Sequence, residues 1–111
     1  AAYNVVNGLD ETSQIGPMIS KVQQTNVVRL FEESIEDGAK VLAGGETYQV
    51  EGKGYFFKPT LLSEVTVNTA AFKEEVFGPI MPVMSFETME EAIELANRSE
   101  YGLAAYIWTN D

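Results

Sequence analysis

The run Lys73-Glu74-Glu75-Val76-Phe77-Gly78-Pro79-Ile80 gathers the side chains in this 111-residue chain best suited to meeting a ligand. It holds two adjacent carboxylates and a large aromatic ring, and it closes on Gly-Pro just before an apolar segment. The residue before a proline is pushed out of the helical region, so Gly78-Pro79 is strong punctuation. Glu74, Glu75 and Phe77 are therefore expected on a loop that feeds a strand at residues 80–86, and a loop on the lip of a sheet is where ligands are commonly met. A plainer reading stays open, with both glutamates as the solvated end of a short helix and Phe77 as a core plug. Adjacent carboxylates do not make an acid–base pair, because side chains at i and i+1 diverge on a helix and take opposite faces of a strand.

Several runs resemble, in order, segments of the aldehyde dehydrogenase superfamily. They are Gly16-Pro17-Met18-Ile19-Ser20, Gly38-Ala39-Lys40-Val41-Leu42-Ala43-Gly44-Gly45, Tyr55-Phe56-Phe57-Lys58-Pro59-Thr60-Leu61, the Glu74-Glu75-Val76-Phe77-Gly78-Pro79 signature, and Tyr101-Gly102-Leu103-Ala104-Ala105. The resemblance covers essentially the whole chain. It implies an α/β fold: part of a mostly parallel sheet flanked by helices, within a truncated catalytic domain that occupies residues 1–111 and lacks the Rossmann-like nucleotide-binding domain. The matching segments lie downstream of the family's catalytic cysteine, and this chain has no cysteine at all. It also implies a parent enzyme that oxidises an aldehyde to a carboxylic acid with NAD or NADP, of which this chain alone is inactive.

Carried over position by position, Glu75 matches the glutamate that hydrogen-bonds the nicotinamide-ribose hydroxyls. A carboxylate suits that task because its two oxygens accept from both hydroxyls of a diol. Phe77 matches the aromatic that packs beside that ribose. Gln23 matches a glutamine that contacts the same ribose in some members, and it equally completes a capping box, Ser20-Lys21-Val22-Gln23. Glu74 shares the family's identity but points elsewhere as Glu75's neighbour, which makes it structural. With the adenine half of the site elsewhere, the chain alone is expected to bind NAD or NADP weakly or not at all.

The elements that must position these residues can be read in order. Ala1–Asn7 is the tail of a helix or a short strand, broken at Gly8. Ser20 caps a helix whose stripe is Val27, Leu30, Phe31 and Ile35, at three- and four-residue spacing. Gly38 stops it, since glycine reaches the left-handed conformation freely. Val41–Ala43 is expected as a short buried strand and Gly44-Gly45 as a turn, because no GxGxxG spacing or following helix supports a phosphate cradle. Residues 46–54 are expected to make a hairpin-like excursion. Residues 55–62 favour strand, with Pro59 marking an edge or bulge. Residues 68–73 make one helical turn. Thr88-Met89-Glu90-Glu91 is another capping box, opening a helix with Met89, Ala92, Ile93 and Ala96 on one face. Residues 103–109 close a strand–helix–strand unit, whose strands at 80–86 and 103–109 are expected to be parallel.

Bulk properties narrow the function. A 45% hydrophobic fraction suits a folded core, and a net charge of −10 opposes binding to nucleic-acid phosphates or anionic membranes. Neither histidine nor cysteine is present, which removes the usual zinc ligands, and no metal site is expected. No apolar run reaches membrane-spanning length and no basic-then-apolar leader opens the chain, which is read as a cytoplasmic protein. The partner expected through the parent enzyme is an aldehyde. The competing reading is a non-catalytic folded remnant that self-associates or binds another protein through exposed sheet edges; a homo-oligomer is expected either way.

Overall fold

The computed structural model describes residues 3–110; Ala1, Ala2 and Asp111 lie outside the described residues, and with them the start of the expected N-terminal element. Helix α1 runs over Lys21–Glu36 and begins where the cap predicts: Ser20 is extended, and its hydroxyl accepts from the Gln23 backbone N–H. Gly38, at φ 101°, ends it. Strand β1 (Lys40–Ala43) follows, then a hairpin of β2 (Thr47–Val50) and β3 (Lys53–Phe57). Glu51 and Gly52 at the hairpin's tip both have positive φ, the pattern whose twist matches that of paired antiparallel strands. Strand β4 (Thr60–Ser63), helix α2 (Ala70–Lys73), strand β5 (Ile80–Pro82) and helix α3 (Met89–Ala96) complete the order.

The α/β class is as expected, and the main sheet is mixed. Its order is β1-β4-β5, with β1 antiparallel and β5 parallel to the central β4. The parallel step thus comes one unit earlier than the helix periodicity suggests, through α2 and not α3. Residues 103–110 join no strand, although Leu103–Thr109 is rich in strand formers; no described strand pairs with them. Residues 55–62 split at Pro59 into β3 and β4, which belong to different sheets, because proline supplies no ladder donor. The expected strand at 80–86 is likewise cut to three residues. β1 is exposed rather than buried, since it is an edge strand with its second side uncovered.

α1 packs on α2 and β3. Val27, Leu30, Leu62, Phe57 and Val76 centre the core. Phe31 meets Phe57 edge-on at 5.6 Å, while Ile35 lies at the margin. Two polar residues on the buried face of α1 do structural work. Gln24 donates to the Phe56 carbonyl at 2.8 Å. The Ser34 hydroxyl accepts from the Ala71 N–H, and the Asp37 carboxylate accepts from the Ala70 N–H, both at 2.9 Å. α2 has no side-chain cap of its own, so the end of α1 caps it.

The second half of the chain is far less covered. No residue of α3 is buried, and its apolar Met89 and Ile93 face outward. Total accessible surface is 8336 Å², against about 6,000 Å² for a compact monomer of this mass.

Candidate functional site

The loop after α2 turns on an alternation that sequence could not orient. Val76 is the residue that plugs the core; Phe77 is 78% exposed and stands off the surface. Phe77 has φ 48°, the left-handed region that costs a side chain with a Cβ about 1–2 kcal/mol. Such strain persists only where the surroundings over-determine it, and here they do. The carbonyls of Val76 and Phe77 accept from the Gln23 carboxamide at 3.2 and 2.9 Å. The Gly78 carbonyl accepts from the Ile80 N–H and the Pro79 carbonyl from the Thr60 N–H, both at 2.8 Å. Four consecutive carbonyls are tied.

Helix α1 holds the loop from three positions. Gln23 supplies the amide. Val27 packs so tightly under Gly78 that a Cβ there would come within 2.5 Å of a valine methyl carbon. Arg29 donates to the Glu74 carboxylate at 2.9 Å and, through its other amino group, to Glu33 at 2.7 Å. The hydrogen bond from Arg29 holds the Glu74 carboxyl below its usual range, and donating to Glu74 and Glu33 raises the guanidinium in turn. Both groups are solvent-exposed, so the pair tethers the loop in direction more than in energy. Glu74 is thus structural.

Glu75 takes no part in this pair. It is exposed, and among the described residues its carboxylate has neither a hydrogen bond nor an ion pair. With Glu74, Phe72, Phe77 and Ile80 it lines a depression of about 330 Å³, which Ser99 and Tyr101 from beyond α3 also line. A free carboxylate and a bare aromatic ring lining one depression are suited to a polyhydroxylated ligand with an apolar face. A second depression, of about 360 Å³, lies along the outer face of α1 by Val22 and Arg29; no carboxylate lines it. Among the described residues no group of acidic side chains is placed to hold a metal ion.

The structure brings Gln23 to the same loop as Glu75 and Phe77, 52 and 54 positions away in sequence. Its side chain does not return to the Ser20 N–H, so the capping box is half-formed, by the serine alone. Sequence reasoning missed Val27 and Arg29 as supports of the loop. The charge on Arg29 was legible, its partner was not.

Comparison with known proteins shows the family to which this fold belongs. The aldehyde dehydrogenase family model matches residues 1–111. The chain is 42% identical over 110 residues to the succinate-semialdehyde dehydrogenase of Paenarthrobacter nicotinovorans, covering 99% of this chain and 24% of that one. It superposes on the NAD+ complex of an aldehyde dehydrogenase from Bacillus cereus with a TM-score of 0.89 at 43% identity, covering 98% of this chain and 22% of that one. It also superposes on 3,6-anhydro-L-galactose dehydrogenase in complex with NAP, with a TM-score of 0.93 at 39% identity, covering 99% and 24%. The chain belongs to the aldehyde dehydrogenase family. It spans about a quarter of the length of the relatives it matches.

Proposed function

We propose that residues 1–111 form part of the catalytic domain of an NAD(P)-dependent aldehyde dehydrogenase, which oxidises an aldehyde to a carboxylic acid, and that this segment supplies the clamp on the nicotinamide ribose. The observation that carries the proposal is that the unpartnered Glu75 carboxylate and the exposed, strained Phe77 residue line one depression. Glu75 accepts from the ribose hydroxyls, and Phe77 bounds the sugar's movement. NAD or NADP, when bound, supplies the hydride acceptor. The protein's share is placement, and orienting reactants is worth up to about 7–11 kcal/mol of barrier. The chain contains no cysteine, so the nucleophile comes from outside it, and the segment alone does not turn over.

Single-turnover hydride transfer in the full-length enzyme tests this. Glu75→Gln is expected to slow hydride transfer while leaving the melting temperature within a degree or so, because the exposed side chain supports nothing. A variant that melts early yet transfers hydride normally would assign the carboxylate a structural task and end the clamp reading.

The uncovered surface favours a second property of the same molecule. The excess over a compact monomer is on the order of 2,000 Å², the size of a substantial protein interface. Residues 103–110 and the outward face of α3 carry much of it, with Leu103, Ile107 and Trp108 almost fully exposed. Association through these surfaces and the open edges of β1 and β5 makes the chain a homo-oligomer, or docks it within a larger polypeptide; a remnant that acts only as a binding module would use the same surfaces. Nucleic acid and membranes are not its partners, given the acidic balance, and the protein is cytoplasmic. No helix among the described residues is long and apolar enough to cross a membrane.

A further inference from the structure

The geometry points to Gln23 as the positioning residue of this site: its carboxamide latches the loop at residues 74–78 into the left-handed conformation that turns Phe77 outward. This rests on the reading of Glu75 and Phe77 as the ribose clamp. Both acceptors of the Gln23 amide are backbone carbonyls, those of Val76 and Phe77, at 3.2 and 2.9 Å. Carbonyls only accept, so the nitrogen must face them, and both of its hydrogens are committed to the loop. What remains for a ligand is one acceptor oxygen.

The bonded carbonyls flank the strained residue. Phe77 sits at φ 48° between the peptide that carries the Val76 carbonyl and the peptide that carries its own. A bidentate donor across both peptides fixes their relative orientation, which is what φ and ψ of Phe77 describe. Release of the amide lets Phe77 relax toward negative φ, and the ring and the neighbouring Glu75 then turn away from one another. The latch is rigid because α1 is: Gln23 lies in its first turn, and Val27, one turn on, is fully buried under Gly78.

The role differs from a ribose contact in a way that two substitutions separate. Gln23→Met removes donors and acceptor at similar size. Gln23→Glu removes the donors and keeps acceptor oxygens. Neither touches the helix cap, since Ser20 bonds the backbone N–H of residue 23. In the full-length enzyme without nucleotide, amide hydrogen exchange across residues 74–80 is expected to quicken about 10-fold in both variants, the equivalent of about 1.4 kcal/mol. The KM for NAD or NADP is expected to rise about as much in both, with the aldehyde KM little changed. Unchanged exchange in both variants overturns the latch whatever the kinetics. So does a raised nucleotide KM in Gln23→Met alongside a normal one in Gln23→Glu, which is the pattern of a direct ribose contact. Failure of the clamp reading is separate: exchange would still quicken, but Glu75→Gln would leave hydride transfer intact.

Discussion

Gly78→Ala is expected to be the most damaging single methyl added near the site. An added Cβ would sit 2.5 Å from one Val27 methyl carbon and 3.3 Å from the other. Carbon atoms prefer about 3.5–4.0 Å, so something must move by about an ångström. Val27 cannot swing aside, because it is fully buried in mid-helix and β-branched, with essentially one rotamer available there. The loop must therefore lift off α1. Overpacking of this kind costs about 1–3 kcal/mol, which at this size lowers the melting temperature by about 10 °C. Val27→Ala alone loses two methyl groups and leaves a cavity, for about 2–3 kcal/mol. Combining the two removes the clash, so the double variant is expected to be no less stable than Val27→Ala alone. The coupling would be about 2 kcal/mol, well beyond the about 0.5 kcal/mol scatter of independent sites. Thermal or urea denaturation of the four proteins in the cycle measures it. Additive losses would refute the argument that Gly78 is small because Val27 lies beneath it.

Phe77→Gly should separate stability from function. It relieves the positive φ and loses little packing, so melting is expected to rise by the equivalent of about 0.5–1 kcal/mol after glycine's own entropy cost, while the nucleotide KM rises. Gly44→Ala is expected to destabilise by more than about 2 kcal/mol in a chemical melt, since φ is 77° and a Cβ would press on the Pro59 carbonyl. The Glu74 carboxyl titrates below its ordinary value through its bond to Arg29. Its contribution is therefore full above the unfolded-state pKa and lost as pH falls through the lowered folded one. The melting difference between wild type and Glu74→Gln, visible at neutral pH, should vanish on acidification; a difference that grew instead would reverse the assignment. Titration calorimetry of residues 1–111 alone with NAD should give millimolar or weaker binding, because hydrogen bonds to one charged group supply about 1.5–3 kcal/mol; micromolar affinity would contradict it.

The elements whose cause is local were legible in the residues. Ser20 and Thr88 begin their helices as hydroxyl caps, Gly38 ends α1, and the glycines of residues 44–54 turn where turns were expected. Each depends on a backbone preference or a bond to an atom a few residues away. Strand limits were less so. Residues 103–109 have a strand's composition, but a strand exists only when a partner edge is there to pair with, and composition does not name the partner.

By itself, the sequence determined the order of the helices and turns, the family resemblance, and the identity of Glu75 and Phe77 as the residues to watch. Tertiary structure decided which way they face. Val76 and Phe77 are both apolar, and only the packing of Val76 against the core, with Gln23 bonded across two carbonyls more than 50 residues distant, turns the ring outward. The same holds for Glu74 and Glu75: two identical side chains differ because Arg29 on α1 reaches one and not the other. Such choices are set by distances across the fold, which no local pattern of residues encodes.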